Sequence, residues 1–358
     1  MTPDPRVLGL VEPALAALPR MILPSGLACY EVRDGDPEPH GESVRYSLIV
    51  LLGLLRAREA GLDSPVDAGA LRDSVDAALE RPEVTPGDVA LRLWVESRDD
   101  RGDASRLVVE LAASLGRFGG LAPREGLELA WIVTGLAPFA GEVEGAADLL
   151  VPAVDQLLAN QTGAGLFRHF GDRRARRRFP NFATEIYSVL ALASAARHGS
   201  DARTLPAARR AADVLLERQL PDGGWPWLYD ADRGTVVERY EVYSVHQHGM
   251  APMTLLDLAD VTGDERYAAA AERGVPWMFG ANELGENMAP FERGLTLRSV
   301  RRRRPLDRLW LYANTAGSYA GGGGRRPGRL LEVNPTCRPY ELGWLVEAWA
   351  GRLGVTPS

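Results

Sequence analysis

The sequence predicts an all-α protein, a single domain over residues 1–358 folded as an (α/α)6 toroid of helical hairpins. Three observations predict it. Apolar residues recur at helical spacing almost throughout, and no segment alternates convincingly as a strand. Gly and Pro punctuate the chain at short intervals, so successive helices are joined by tight turns. The helices also come in two kinds that alternate, as an outer and an inner ring require.

In chain order the spacing predicts helices near 5–20, 42–60, 66–80, 86–98, 103–118, 124–139, 144–160, 181–198, 202–219, 240–262, 264–280 and 338–353. LPAARRAADVLLERQ is amphipathic and charged and suits the outer ring. SLIVLLGLL, LELAWIVTGL and EIYSVLALASAA are apolar nearly all round, as helices buried on both sides must be. An open helical solenoid is the competing arrangement. Two stretches read as long loops: 165–180, with arginines from Arg173 to Arg178, and 289–336, with Arg301 to Arg304 and Gly321 to Gly324. The glycine run is predicted as a mobile tip.

Composition excludes several functions. Hydrophobic residues make up 46% and charged residues 25%, an ordinary globular balance. A net charge of -7 argues against nucleic acid as a partner. No apolar run approaches the roughly 20 residues of a membrane span. The first residues lack the basic start and solid apolar stretch of a secretory signal, and Cys29 and Cys337 form no disulfide framework, so a cytoplasmic location is expected. The chain contains no lysine. Schiff-base catalysis, a P-loop and a kinase-type lysine are therefore excluded.

The turn Gln219-Leu220-Pro221-Asp222-Gly223-Gly224-Trp225 ends one outer helix, and Gln161 to Phe167 is a weaker copy with Phe in place of Trp. This turn resembles the glutamine-to-tryptophan turn of the squalene-cyclase and prenyltransferase toroid superfamily. Similar turns occur in six-hairpin glycosidases, uronyl hydrolases and glucuronyl epimerases. The resemblance spans the C-terminal half and implies a hairpin toroid rather than one activity. Gly frees the backbone after the helix, the Gln amide is expected to bond open helix ends, and the Trp ring to cover them.

In such a toroid the starts of the inner helices converge on one mouth. The residues opening them are His40, Glu42, Arg45 and Tyr46; Asp88 and Arg92; Glu125 and Glu128; Asn181 and Glu185; Tyr240 to His248; and Arg338, Tyr340 and Glu341. Acids at helix starts also serve the helix dipole, and that mundane role is expected of Asp88, Glu125 and Glu128. The segment Tyr240 to Met250 concentrates imidazole, carboxylate and phenol, the groups for acid–base work near neutral pH. On a helix, Glu241, Ser244 and His248 share one face, and Tyr240, Tyr243 and Gln247 another. A buried bracing network is the structural alternative. Arg338 is expected to hold a substrate carboxylate or phosphate, or else to pair with Glu341.

The expected activity is that of a carbohydrate-active hydrolase, lyase or epimerase working on an acidic sugar or glycan. The catalytic candidates are Glu241, His248, Tyr243, Glu185 and Glu341. Arg338, Tyr340, His246, Arg45 and Trp227 are the candidates for substrate binding. No metal or other cofactor is expected: a zinc set of Cys337 with His246 or His248 lacks CxxC or HxxxH spacing. The expected partner is a small anionic molecule or oligosaccharide, with oligomeric state open. A terpenoid cyclase or prenyl-transfer enzyme is the second reading. A DxDD motif is missing, Asp99 to Asp103 only loosely imitates DDxxD, and aromatics are just 7% of the chain. A non-catalytic scaffold is the third, and it predicts that the Glu241–His248 and Arg338–Glu341 clusters stay apart.

Overall fold

The computed structural model describes residues 4–99, 102–172, 176–199, 201–303, 306–319 and 330–353. Its helices, in chain order, are α1 (Pro5–Leu8), α2 (Val11–Ala17), α3 (Val44–Glu59), α4 (Ala68–Ala78), α5 (Pro86–Glu96), α6 (Ala104–Arg117) and α7 (Gly126–Leu136). They continue as α8 (Ala146–Asn160), α9 (Phe182–Arg197), α10 (Thr204–Arg218), α11 (Ala251–Thr262), α12 (Glu265–Met278), α13 (Leu306–Tyr319) and α14 (Pro339–Trp349). Asp67, Asp103, Asn181 and Asp264 cap the starts of α4, α6, α9 and α12, each side chain accepting from an otherwise open backbone N–H.

The inner ring is α3, α5, α7, α9, α11 and α14, each packed on the next, with α14 closing back on α3. Helices α4, α6, α8, α10 and α12 lie outside α3, α5, α7, α9 and α11, and α2 lies outside α14. Six inner and six outer helices make the toroid closed rather than an open solenoid. The closure is a backbone-on-backbone crossing: a Cβ at Gly53 of α3 would stand 2.6 Å from the carbonyl oxygen of Gly343 in α14. Around it runs one continuous apolar core. Among the described residues, no helix is long and apolar enough to cross a membrane.

The glutamine turns join neighbouring outer helices. Gln219 Nε2 donates to Gly223 O at 2.9 Å and to Ala270 O of α12 at 3.0 Å. Gln161 Nε2 does the same to Gly165 O and to Ala207 O of α10, both at 2.9 Å. The amides thus bond carbonyls inside the following outer helix, not the open helix ends expected. Gly223 is required twice: its φ is 86°, and a Cβ would meet Arg273 O at 2.0 Å. Trp225 is fully buried against Phe182, with ring centroids 5.3 Å apart.

Three predicted elements differ. The 5–20 helix breaks at Gly9 into α1 and α2 and then a 3-10 turn at Leu18–Met21, where Pro19 lies inside it. Residues 240–243 are not helical but lead into strand β5 of the sheets described next. The 289–336 stretch is no mere loop, since its described residues include two strands, α13 and the start of a third strand.

Short sheets dress the mouth. β1 (Glu31–Arg33) pairs with β2 (Asp36–His40) and β8 (Thr336–Cys337); β3 (Leu228–Asp230) pairs with β4 (Thr235–Glu238); and β6 (Ser299–Arg302) lies between β5 (Val242–Tyr243) and β7 (Leu331–Asn334). Buried polar bonds pin the insertion to the β3–β4 hairpin: Arg302 and Asn314 to Glu238 at 2.7 and 2.8 Å, and Ser318 to Asp230 at 2.6 Å. The run Gly321 to Gly324, Arg173 to Ala175 and Arg304 lie outside the described residues.

Candidate active site

The starts of five inner helices surround a cavity of about 260 Å³. Arg45, Tyr46 and Ile49 come from α3, Leu127 and Trp131 from α7, Ala183 and Tyr187 from α9, and Tyr340 from α14. The cap residue Asn181 and the segment before α11, through His246 and Met250, complete the helical wall. Trp227, Tyr243 and Arg298 enter from the strand segments. The sixth inner helix, α5, takes part indirectly: its Asp88 accepts from Arg45 Nε at 2.7 Å and from Nη2 at 3.1 Å, holding that guanidinium near the Trp131 ring.

A missing N–H shapes the turn that carries His246. Pro252 cannot donate to the carbonyl of His248, four residues back. Trp349 Nε1 donates to it instead, at 2.7 Å, and the backbone widens into a π-turn over His246–Met250. Such turns often accompany functional sites. The turn places His246 and Met250 on the cavity wall, with the His246 ring 4.5 Å from Phe182 and 5.1 Å from Tyr243.

Among the described residues, no carboxylate forms part of the wall; Glu241 and Glu341 stand directly behind it. The Tyr243 hydroxyl donates to Glu241 at 2.9 Å, and Asn334 Nδ2 and the Ser299 hydroxyl also donate to that carboxylate. Arg298 bonds the fully buried Glu341 and packs over the Tyr243 ring at 4.9 Å. Burial, opposed by Arg298 and Arg338, pushes the Glu341 carboxyl up to about 7. Burial likewise raises the Tyr243 and Tyr340 phenols, which therefore stay protonated. The His246 imidazole is pulled down to about 3, by burial first and then by Arg298 and His248. It is a neutral ring, and its Nδ1 has no hydrogen-bond partner among the described residues.

Of the residues expected at the mouth, Arg45, Trp227, Tyr243, His246 and Tyr340 line the cavity, and Glu241 and Glu341 each bond a residue of its wall. Two expected catalytic groups do not. Glu185 is fully buried beneath the 161–167 turn, where both carboxylate oxygens accept from the Phe167 N–H at 3.0–3.1 Å. His248 points into the core, fully buried, with neither ring nitrogen hydrogen-bonded among the described residues. The helical faces expected of 240–248 fail because that segment enters as a strand. Arg338 does not line the cavity either: it stacks on Tyr30 at 4.2 Å and donates to the Tyr46 hydroxyl at 2.8 Å. Its backbone N–H faces Glu341 at 3.4 Å, while that acid's ion pair goes to Arg298. Arg92 belongs to a buried network with Asp76 and Glu96, away from the mouth.

Sequence reasoning missed Arg298, Trp131 and Tyr187. The two aromatics sit in apolar helical runs where every ring reads as core. Arg298 lies in the stretch taken for a loop, and only the pairing of β5, β6 and β7 delivers it to the cavity.

If His248 is packing rather than chemistry, His248→Leu keeps any kcat/KM within about threefold of the native protein and leaves the fold intact. Burial holds the folded imidazole at about 3, below its ordinary 6.5. The unfolded chain therefore takes up a proton below pH 6.5 that the folded one refuses, and native stability is lost as pH falls through that window. The leucine variant should be relatively more stable there, as urea titrations at pH 7 and pH 5 would show. A loss of activity with unchanged folding would restore His248 to the mechanism.

No protein-family model matches the sequence. No curated protein matches it either. Solved structures do match in fold. A crystal structure of an unsaturated glucuronyl hydrolase specific for heparin superposes with a TM-score of 0.63 at 14% identity, covering 98% of this chain and 97% of that one. A sugar epimerase from a ruminal bacterium gives 0.62 at 13%, over 98% and 99%. A cellobiose 2-epimerase from Bacillus thermoamylovorans gives 0.61 at 10%, over 98% and 100%. The chain therefore has, over nearly its whole length, the (α/α)6 toroid fold found in these sugar hydrolase and epimerase structures.

Proposed function

We propose that the protein is a carbohydrate-active enzyme that binds an acidic sugar in this cavity and moves a proton on it, as an epimerase or lyase does. The observation that carries the reading is Arg298: a buried guanidinium on the cavity wall, set among phenols and beside a neutral imidazole. Such a cation receives a carboxylate bidentately and stabilises the negative charge that develops when the carbon beside that carboxylate loses its proton. The N-termini of the inner helices, with their positive dipole ends, favour the same anion. Tyr243, backed by Glu241, and His246 are the proton carriers in reach. An anion on Arg298 offsets the repulsion that helps hold His246 neutral, so binding makes the imidazole a better base.

Two-carboxylate hydrolysis is less well supported, because no carboxylate among the described residues reaches the wall. The scaffold reading fares worse. It requires separated clusters, and Arg298 joins them by touching both Tyr243 and Glu341. The neighbours in fold, named for a glucuronyl hydrolase and sugar epimerases, agree with a sugar substrate.

The test is solvent exchange. Glucuronate and galacturonate glycosides, incubated with the enzyme in deuterated water, should take up deuterium beside the carboxylate or lose the group β to it, followed by NMR. Tyr243→Phe and His246→Gln should slow this by about a hundredfold or more with unfolding midpoints close to native. Exchange that persists in both variants, or uronates that neither bind nor react, would end the reading.

A further inference from the structure

A second concavity adjoins the first. It encloses about 540 Å³ between the starts of α3 and α5, and its lining includes Tyr30, Glu42, Arg81, Glu83 and Asp88. The two spaces share Arg45 and Tyr46 as a common wall. Three tyrosines run from one to the other. Tyr30, 42% exposed at the rim, stacks on Tyr46 at 5.4 Å, and Tyr46 on Tyr340 at 4.6 Å. The Tyr46 hydroxyl is tied to Arg338 and Arg45 is tied to Asp88, so this partition is fixed.

The charged groups on the lining differ across the partition. Among the described residues, the inner cavity has two arginines and no carboxylate on its wall. The groove has two arginines and three carboxylates. Within it Arg81 pairs with Glu42 at 2.5 Å and Arg45 with Asp88 at 2.7 Å, which leaves the charge of exposed Glu83 as its surplus. At about 260 Å³, the inner cavity is at or below the small end of ligand sites, about 300–1,000 Å³, and suits one sugar ring. The groove next to it is twice as roomy and is rich in groups that bond hydroxyls.

We propose that this groove is a second saccharide subsite, which takes the neutral, hydroxyl-bearing unit attached to the acidic unit in the inner cavity. The proposal rests on the acidic-sugar reading above. The substrate is then a chain that alternates in charge, and Glu83 disfavours a second uronate.

Three probes test it in the deuterium assay: a methyl glucuronide, a glucuronate–glucose disaccharide and a diglucuronate. The mixed disaccharide should exceed the methyl glycoside in kcat/KM by about tenfold, the equivalent of about 1.4 kcal/mol of added transition-state binding. The diglucuronate should fall below the mixed disaccharide. Glu83→Trp, which fills the groove from an exposed position, should bring the mixed disaccharide's advantage down towards unity. Glu83→Arg should raise the diglucuronate relative to the mixed disaccharide. Equal values for all three probes, or ratios unmoved in both variants, overturn the groove assignment while leaving the inner-cavity reading standing. If none of the three is processed or shifts the unfolding midpoint, the acidic-sugar reading falls and the groove falls with it.

Discussion

Arg298→Ala is expected to cost both turnover and stability, by separable routes. If the acidic-sugar reading holds, removing the cation proposed to receive the substrate's acid group should lower kcat/KM by about a thousandfold, the scale seen when a preorganised donor to a developing anion is lost. Above pH 7, where the Glu341 carboxyl is ionised, the same change leaves that group, with no exposed surface, without its counter-charge. Breaking a buried pair from one side costs about 3–5 kcal/mol, whereas replacing both partners with apolar groups of similar volume is often neutral. The double variant Arg298→Leu/Glu341→Leu should therefore regain most of the stability and none of the activity. Urea titrations and steady-state kinetics on the three proteins separate the effects. If the single variant keeps kcat/KM within about threefold of native, Arg298 does not hold the substrate. If the double variant is no more stable than the single, the stranded carboxyl is not what destabilises it.

How far the sequence carries the argument depends on the kind of contact. The double ring was legible because a helix advertises its buried face through local spacing, and the apolar-all-round segments around Leu51, Ile132 and Leu190 do line the inner ring. The mouth was legible for the same reason: a residue that opens an inner helix has one place to go, and Arg45, His246 and Tyr340 went there. Position alone does not say which way a side chain turns. Glu185 and His248 are each within a turn or so of a wall residue, yet both face the protein interior. Contacts made by strand pairing were illegible. Asn334 reaches Glu241, and Arg298 reaches Glu341, across 93 and 43 residues, through a short sheet too brief to show alternation. The insertion carrying them looked like loop because its polar residues are buried in pairs, as Arg302 is with Glu238.

Glu341 links pH to both stability and binding. Its carboxyl is raised from 4.5 to about 7 in the folded protein, chiefly by burial, with Arg298 and then Arg338 opposing and Glu241 adding to the rise. Between those values the folded state holds a proton that the unfolded chain has released. Stability from this group is therefore full below pH 4.5 and declines as pH rises to about 7, by about 3 kcal/mol in total. Other buried groups titrate in the same range, so the quantity to measure is the difference between native protein and Glu341→Gln. The glutamine mimics the neutral carboxyl and should match the native protein near pH 4.5, then become the more stable of the two by pH 8. Binding follows from the same proton. Below pH 7 Arg298 faces a neutral neighbour and its charge is available to an anionic sugar; above it the Glu341 anion competes. On the acidic-sugar reading, the native protein should lose kcat/KM for uronates on the alkaline side of pH 7, and Glu341→Gln should lack that limb. A variant less stable than native at pH 8 would mean that Arg298 requires an ionised partner, and the proton would then belong elsewhere in the network.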